Sequence, residues 1–64
     1  MYIVRGRTVE GNEVFYTGKA GQAFISTLRG ESFGYTSQWQ AQARAKNLNC
    51  MSDIHGVWFI AIPY

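Results

Sequence analysis

The sequence predicts an α+β two-layer sandwich, with one α-helix at about 37–48 packed on a three- to four-stranded, mainly antiparallel sheet. Three observations carry this. Residues 2–9 and 14–17 are rich in β-branched and aromatic types and flank Glu10-Gly11-Asn12-Glu13, which is the pattern of a hairpin. Ser37 followed three residues later by Gln40 is a capping box, which opens a helix. Residues 56–62 form a short apolar run near the end, long enough for a strand and too short for a helix.

The first strand is expected over 2–9 and the second over 14–17, with Val9 facing Val14, Thr8 facing Phe15 and Arg7 facing Tyr16. The two-residue period then divides the hairpin into two faces. One holds Tyr2, Val4, Gly6, Thr8, Phe15 and Thr17, and the other holds Ile3, Arg5, Arg7, Val9, Val14 and Tyr16. Two arginines resist burial, so the first face is assigned to the core. Gly18-Lys19-Ala20-Gly21 reads as a mobile loop. Residues 22–29 fit two descriptions: Phe24 and Leu28 stand at helical spacing before a capping Gly30, while Phe24-Ile25-Ser26-Thr27 also suits a strand. Ser32–Thr36 reads as a short strand with Phe33 and Tyr35 on one side.

The helix follows from Ser37 to about Leu48, with Asn49 as its stop. Ala41, Ala45 and Leu48 stand at i, i+4 and i+7 and form the stripe that faces the sheet, the alanines allowing close approach. Trp39 falls on the opposite side with Ala43 and Lys46. It is either an exposed interface anchor or folded over Phe33 and the 22–31 segment, and the high average burial of Trp favours the second. Residues 49–55 read as a polar loop. The last strand, 56–62, is apolar on both faces, with Val57, Phe59 and Ala61 on one and Trp58, Ile60 and Ile62 on the other. Such a strand belongs at the centre of a sheet or beneath a cover.

The chain has 64 residues, 47% hydrophobic, 16% aromatic and 16% charged, which excludes a disordered, collagen-like or coiled-coil polymer and indicates a single domain over 1–64. The 57–62 run is far below the roughly 20 residues that span a bilayer. The start, Met-Tyr-Ile-Val-Arg, has no secretory character. One cysteine, Cys50, cannot make an internal disulfide, which points to the cytoplasm. The ten aromatics must fill most of so small a core. That leaves little room for a pocket of about 300 Å³ or more and argues against an enzyme.

No catalytic, cofactor or metal site is expected. Gly18-Lys19 lacks both the upstream Gly and the following Ser or Thr of a phosphate loop, since Glu13 and Ala20 stand there. Cys50, Asp53 and His55 are fewer than the four ligands a closed zinc site requires, so Cys50 is expected as a small semi-buried hydrophobe. Net charge is +2, from six cations set singly against four carboxylates. One helix covers one sheet face, leaving a mixed basic and apolar face either partly covered by 18–31 or free for a partner. The leading expectation is a protein-binding surface of Arg5, Arg7 and Tyr16, with Trp39 as anchor. The alternatives are a nucleic-acid surface of Arg5, Arg7, Tyr16 and Lys19, and a homodimer or larger homo-oligomer that pairs the open faces.

The order Met-Tyr-Ile-Val-Arg, Tyr16-Thr17-Gly18-Lys19-Ala20-Gly21, Tyr35-Thr36-Ser37 leading into Ala41, Ala45 and Leu48, and the closing Ile62-Pro63-Tyr64 resembles small open-reading-frame products of bacteriophages and prophages, which are compact strand–strand–helix–strand proteins. The resemblance covers most of the chain as an order of elements. It implies a protein that binds and blocks a host protein, as host-takeover factors and anti-defence inhibitors do, within the host cytoplasm. That group has no shared site, so no residue role is carried over.

Overall fold

The computed structural model describes residues 1–51 and 56–64 and shows the α+β arrangement that the sequence predicts. Strands β1 (Tyr2–Thr8), β2 (Glu13–Tyr16), β3 (Ile25–Ser26) and β4 (Val57–Pro63) form one sheet in the order β3-β2-β1-β4, with every pairing antiparallel. Helix α1 (Gln38–Asn49) crosses between β3 and β4 in the chain and covers one face.

The hairpin turns earlier than expected. Thr8 N–H donates to Asn12 O and Gly11 N–H donates to Thr8 O, both at 2.9 Å, with Gly11 at φ +91°. This is a three-residue loop closed by a glycine in the left-handed region, so Val9 lies in the turn. Glu13, not Tyr16, stands opposite Arg7, and Phe15 stands opposite Arg5. The slip is odd-numbered and exchanges the faces of β2. Val14 and Tyr16 turn toward the helix, while Phe15 joins the arginines. The observed register satisfies more groups, because it gives Gly11 the one position that needs positive φ and sets Glu13 between Arg5 and Arg7.

The core lies between α1 and the sheet. Ala41, Ala45 and Leu48, the predicted stripe, are buried against Val4, Val14 and Phe59, with Tyr2, Tyr16, Ile25, Val57 and Ala61 around them. Gly6 makes room for the Phe59 ring: a Cβ there would lie 2.7 Å from Val57 Cγ1 and 2.8 Å from Phe59 Cε1. Ser37 caps α1 with its Oγ accepting from Trp39 N–H at 3.2 Å, so the bond goes to the second helical amide. At the other end Asn49, the expected stop, is the last helical residue. Its side chain donates to Phe59 O at 2.9 Å and accepts from Phe59 N–H at 2.8 Å, which satisfies the outer edge of β4 at that residue.

Several expectations are revised. β4 is an edge strand, and β1 and β2 are the inner ones. Both inner strands have buried residues on each face, Val4 and Val14 toward the helix and Ile3 and Phe15 away from it, whereas Trp58 on the second face of β4 is exposed. Residues 22–29 form neither a helix that pairs Phe24 with Leu28 nor a strand over 24–27: a 3-10 turn covers Gly21–Phe24 and β3 is limited to Ile25–Ser26. Ser32–Thr36 makes a single bridge, Tyr35 to Tyr2, rather than a strand. Phe33 N–H reaches Tyr16 O at 2.8 Å, so this segment continues alongside the sheet where β2 ends.

Two substitutions test this account. Asn49→Ala strips the partners from both peptide groups of Phe59 and is expected to destabilise by about 2–4 kcal/mol in urea unfolding, with an unchanged m-value. Gly6→Ala forces the Phe59 ring aside and is expected to cost about 1–3 kcal/mol.

Candidate binding surfaces

The sheet face away from α1 is built on cross-strand pairs. Arg5 lies between Phe15 and Ile60, Arg7 between Glu13 and Trp58, and Ile3 beside Ile62. One end of this face is covered. Residues 29–31 form a 3-10 turn, and Arg29 donates to Pro63 O at 3.1 Å and Tyr64 O at 2.8 Å. Its guanidinium lies 5.8 Å from the Phe15 ring centroid and 5.4 Å from that of Tyr64. Ile3 and Phe15 are buried on this side, apart from the main core cluster. The partial cover expected from the 18–31 segment is thus present over Phe15, while Arg7, Trp58 and Ile60 stay exposed.

Glu13 sets the electrostatics of the open part. Its Oε2 is 3.3 Å from Arg5 Nη1 and 3.4 Å from Arg7 Nη2. One carboxylate against two guanidinium groups leaves one positive charge in excess. The Arg5 side chain is 19% exposed and the Arg7 side chain 54%, and Arg5 Nε is buried without a hydrogen-bond partner. Arg7 is therefore the cation that a partner would reach first.

The residues singled out from sequence do not form one patch. Arg5 and Arg7 share the open face. Tyr16, expected beside them, is half-buried on the helix side, with the Arg44 guanidinium 5.5 Å from its ring centroid. Lys19 is on that side too, where a cavity of about 390 Å³ is lined by both Tyr16 and Lys19. Trp39 does not fold over its neighbours: it is 73% exposed and borders a groove of about 500 Å³ with Phe33, Tyr35, Ala43 and Arg44. Phe33 and Tyr35 pack with centroids 4.8 Å apart at 58°. A side-chain hydrogen bond from Arg44 to Tyr35, with nearby Tyr16, holds the guanidinium above its ordinary pKa.

One apolar face of the last strand is expected on the open side of the sheet, and the structure shows that it is the face of Trp58 and Ile60, neither of which the sequence singles out as a site residue. Trp58 is 66% exposed and pairs across the strands with Arg7. Cys50, expected to be semi-buried, is exposed at the C-cap of α1. Asp53 and His55, considered with it as ligands, lie outside the described residues. Among the described residues no group of three or more His, Cys, Asp or Glu is placed to hold a metal, and no helix is long and apolar enough to cross a membrane.

The fold and these surfaces define a small α+β protein with an open, basic and aromatic sheet face and a separate groove beside its helix. Compared with family models, curated proteins and solved structures, the chain matches none.

With both tryptophans exposed, native fluorescence is expected to lie close to that of the urea-unfolded chain and to be quenched freely by iodide. Trp58→Ala and Trp39→Ala should each leave stability within about 1 kcal/mol of the parent, while Phe59→Ala should cost about 3–5 kcal/mol.

Proposed function

We propose that the chain is a non-enzymatic binding protein that engages a protein partner through the open part of its sheet, with Trp58 and Ile60 as apolar contacts and Arg5 and Arg7 as the charges that orient them. The observation that carries this reading is Trp58, two-thirds exposed on a rigid strand and directly across from Arg7. Exposed Trp and Arg are the residue types most enriched where interfaces concentrate their binding energy. The excess positive charge beside Glu13 favours an acidic partner surface and speeds encounter with it. The resemblance to phage-encoded proteins extends the proposal: the partner is a host protein or complex that the chain inhibits or modulates in the host cytoplasm. Trp39, on the helix side of the sheet, is a second contact outside this patch.

The test is capture from bacterial lysate on the immobilised chain. A partner held by the parent is expected to be lost with Trp58→Ala and with Arg7→Glu, and kept with Gln42→Ala, an exposed helix position on the other side of the sheet. Retention of that partner by both face variants overturns the proposal.

The Trp58–Arg7 pair also supports a second reading, because an exposed ring beside a guanidinium on a sheet can stack a base and hold its phosphate. Under that reading a single-stranded oligonucleotide quenches Trp58 fluorescence in a Trp39→Phe background, and affinity falls steeply with salt. If the occupant is instead a second copy, the sedimentation coefficient rises with concentration and Trp58→Ala abolishes the rise.

A further inference from the structure

We propose that the cavity between the 17–24 loop and the second half of α1 binds a small phosphomonoester carried on a planar ring. Its volume of about 390 Å³ is enclosed chiefly by Tyr16, Lys19, Phe24, Arg44, Leu48 and Met51, within the roughly 300–1,000 Å³ range of ligand sites. Two cations, Lys19 and Arg44, line it, and no carboxylate is among the described lining residues. A phosphomonoester carries close to two negative charges at neutral pH, which matches the pair. The remaining lining is apolar, with the Tyr16 and Phe24 rings beside Leu48 and Met51, and suits a flat hydrophobic body.

The Arg44 head packs on a ring, and the backbone that carries Lys19 is anchored. The Arg44 guanidinium lies over the Tyr16 ring, 5.5 Å from its centroid, so part of its freedom is already given up before a ligand arrives. Lys19 stands on a loop closed by Thr17: Thr17 N–H donates to Phe24 O at 2.8 Å, Thr17 Oγ1 donates to Ala23 O at 2.6 Å, and the same oxygen accepts from Lys19 N–H at 3.2 Å. These bonds close the base of the Gly18-Lys19-Ala20-Gly21 loop. At its start Gly18 has φ +79°, and a Cβ there would meet the Phe33 ring at 2.5 Å. The absence of phosphate-loop spacing is consistent with this site, because it recognises phosphate with two side chains rather than with a backbone cradle. The cavity is on the helix side of the sheet, so its fate is independent of the open-face proposal.

The experiment is an amide-resolved NMR titration of the full chain with phenyl phosphate, AMP and inorganic phosphate at pH 7.5. Phenyl phosphate or AMP is expected to give saturable shifts confined to residues 16–24 and 44–51, about tenfold tighter than inorganic phosphate. The tighter of the two esters identifies the source as an aryl phosphate or a nucleotide. Lys19→Gln and Arg44→Lys are each expected to weaken binding by about fivefold or more, with shifts elsewhere unchanged. Affinity should fall as pH drops through about 6, where the phosphate gains a proton. Lys19 is on the exposed loop, so Lys19→Gln remains informative even if altering Arg44 disturbs its packing on Tyr16. Failure of both esters to saturate by about 10 mM, equal affinity for inorganic phosphate, or parent-like binding by Lys19→Gln overturns the proposal.

Discussion

The Asn49 side chain is the joint on which this small fold turns. A helix and an edge strand packed only through side chains can slide against each other, and the outer peptide groups of an edge strand invite a foreign strand. Asn49 removes both freedoms with one amide group. It presents to Phe59 the donor and acceptor that a neighbouring strand would present, and it does so from the last turn of α1, so the helix is registered against β4 to within one residue. The ring of Phe59 then lies over Gly6 and beneath the alanine stripe. Because side chains alternate along a strand, fixing Phe59 inward fixes Trp58 and Ile60 outward. The core and the open face are consequences of the same contact.

The polar surface is arranged with similar economy. Glu13 serves two arginines, and Arg29 serves two carbonyls and two rings. Exposed ion pairs of this kind contribute little to folding stability, typically under about 1 kcal/mol, and their effect here is positional. Glu13 draws the Arg5 and Arg7 heads together along β1, and Arg29 lays the 29–31 turn over Phe15. What remains uncovered is a strip of β1 and β4 with rigid backbone and exposed side chains, which is a better recognition surface than a loop of the same composition because little conformational freedom is lost on contact.

The elements governed by local rules were legible in the sequence. Ser37 caps the helix, Ala41, Ala45 and Leu48 face the sheet, and β1 has the alternation expected of it, because each depends on residues a few positions apart. The register of β2 was not legible, since two adjacent turn positions accept glycine chemistry and only the cross-strand meeting of Glu13 with Arg5 and Arg7 separates them. The resulting three-residue slip, being odd, placed Tyr16 on the wrong face. The position of β4 was misread for another reason: an apolar second face signals burial whether the cover belongs to the chain or to something else. Of the candidate residues, Arg5 and Arg7 were found by the right argument, whereas Trp58 needed the strand order. Arg44 gave no sequence signal, because its importance comes from Tyr16 and Tyr35, which reach it from distant parts of the chain.

The strand order also governs when this protein can fold. β1 precedes the other strands of the sheet in the chain and lies inside it, yet one of its two edges is completed by β4, with Tyr2 against Pro63 about 60 residues later. A hairpin alone is marginal in water, so β1 and β2 gain lasting order only once α1 and then β4 arrive. Contacts of such long sequence separation slow folding and prolong exposure of the unfinished edge. Synthesis from the N-terminus thus holds this inner strand waiting for β4, and Val57–Pro63 acts as the latch whose arrival converts a loose nascent chain into the finished sheet.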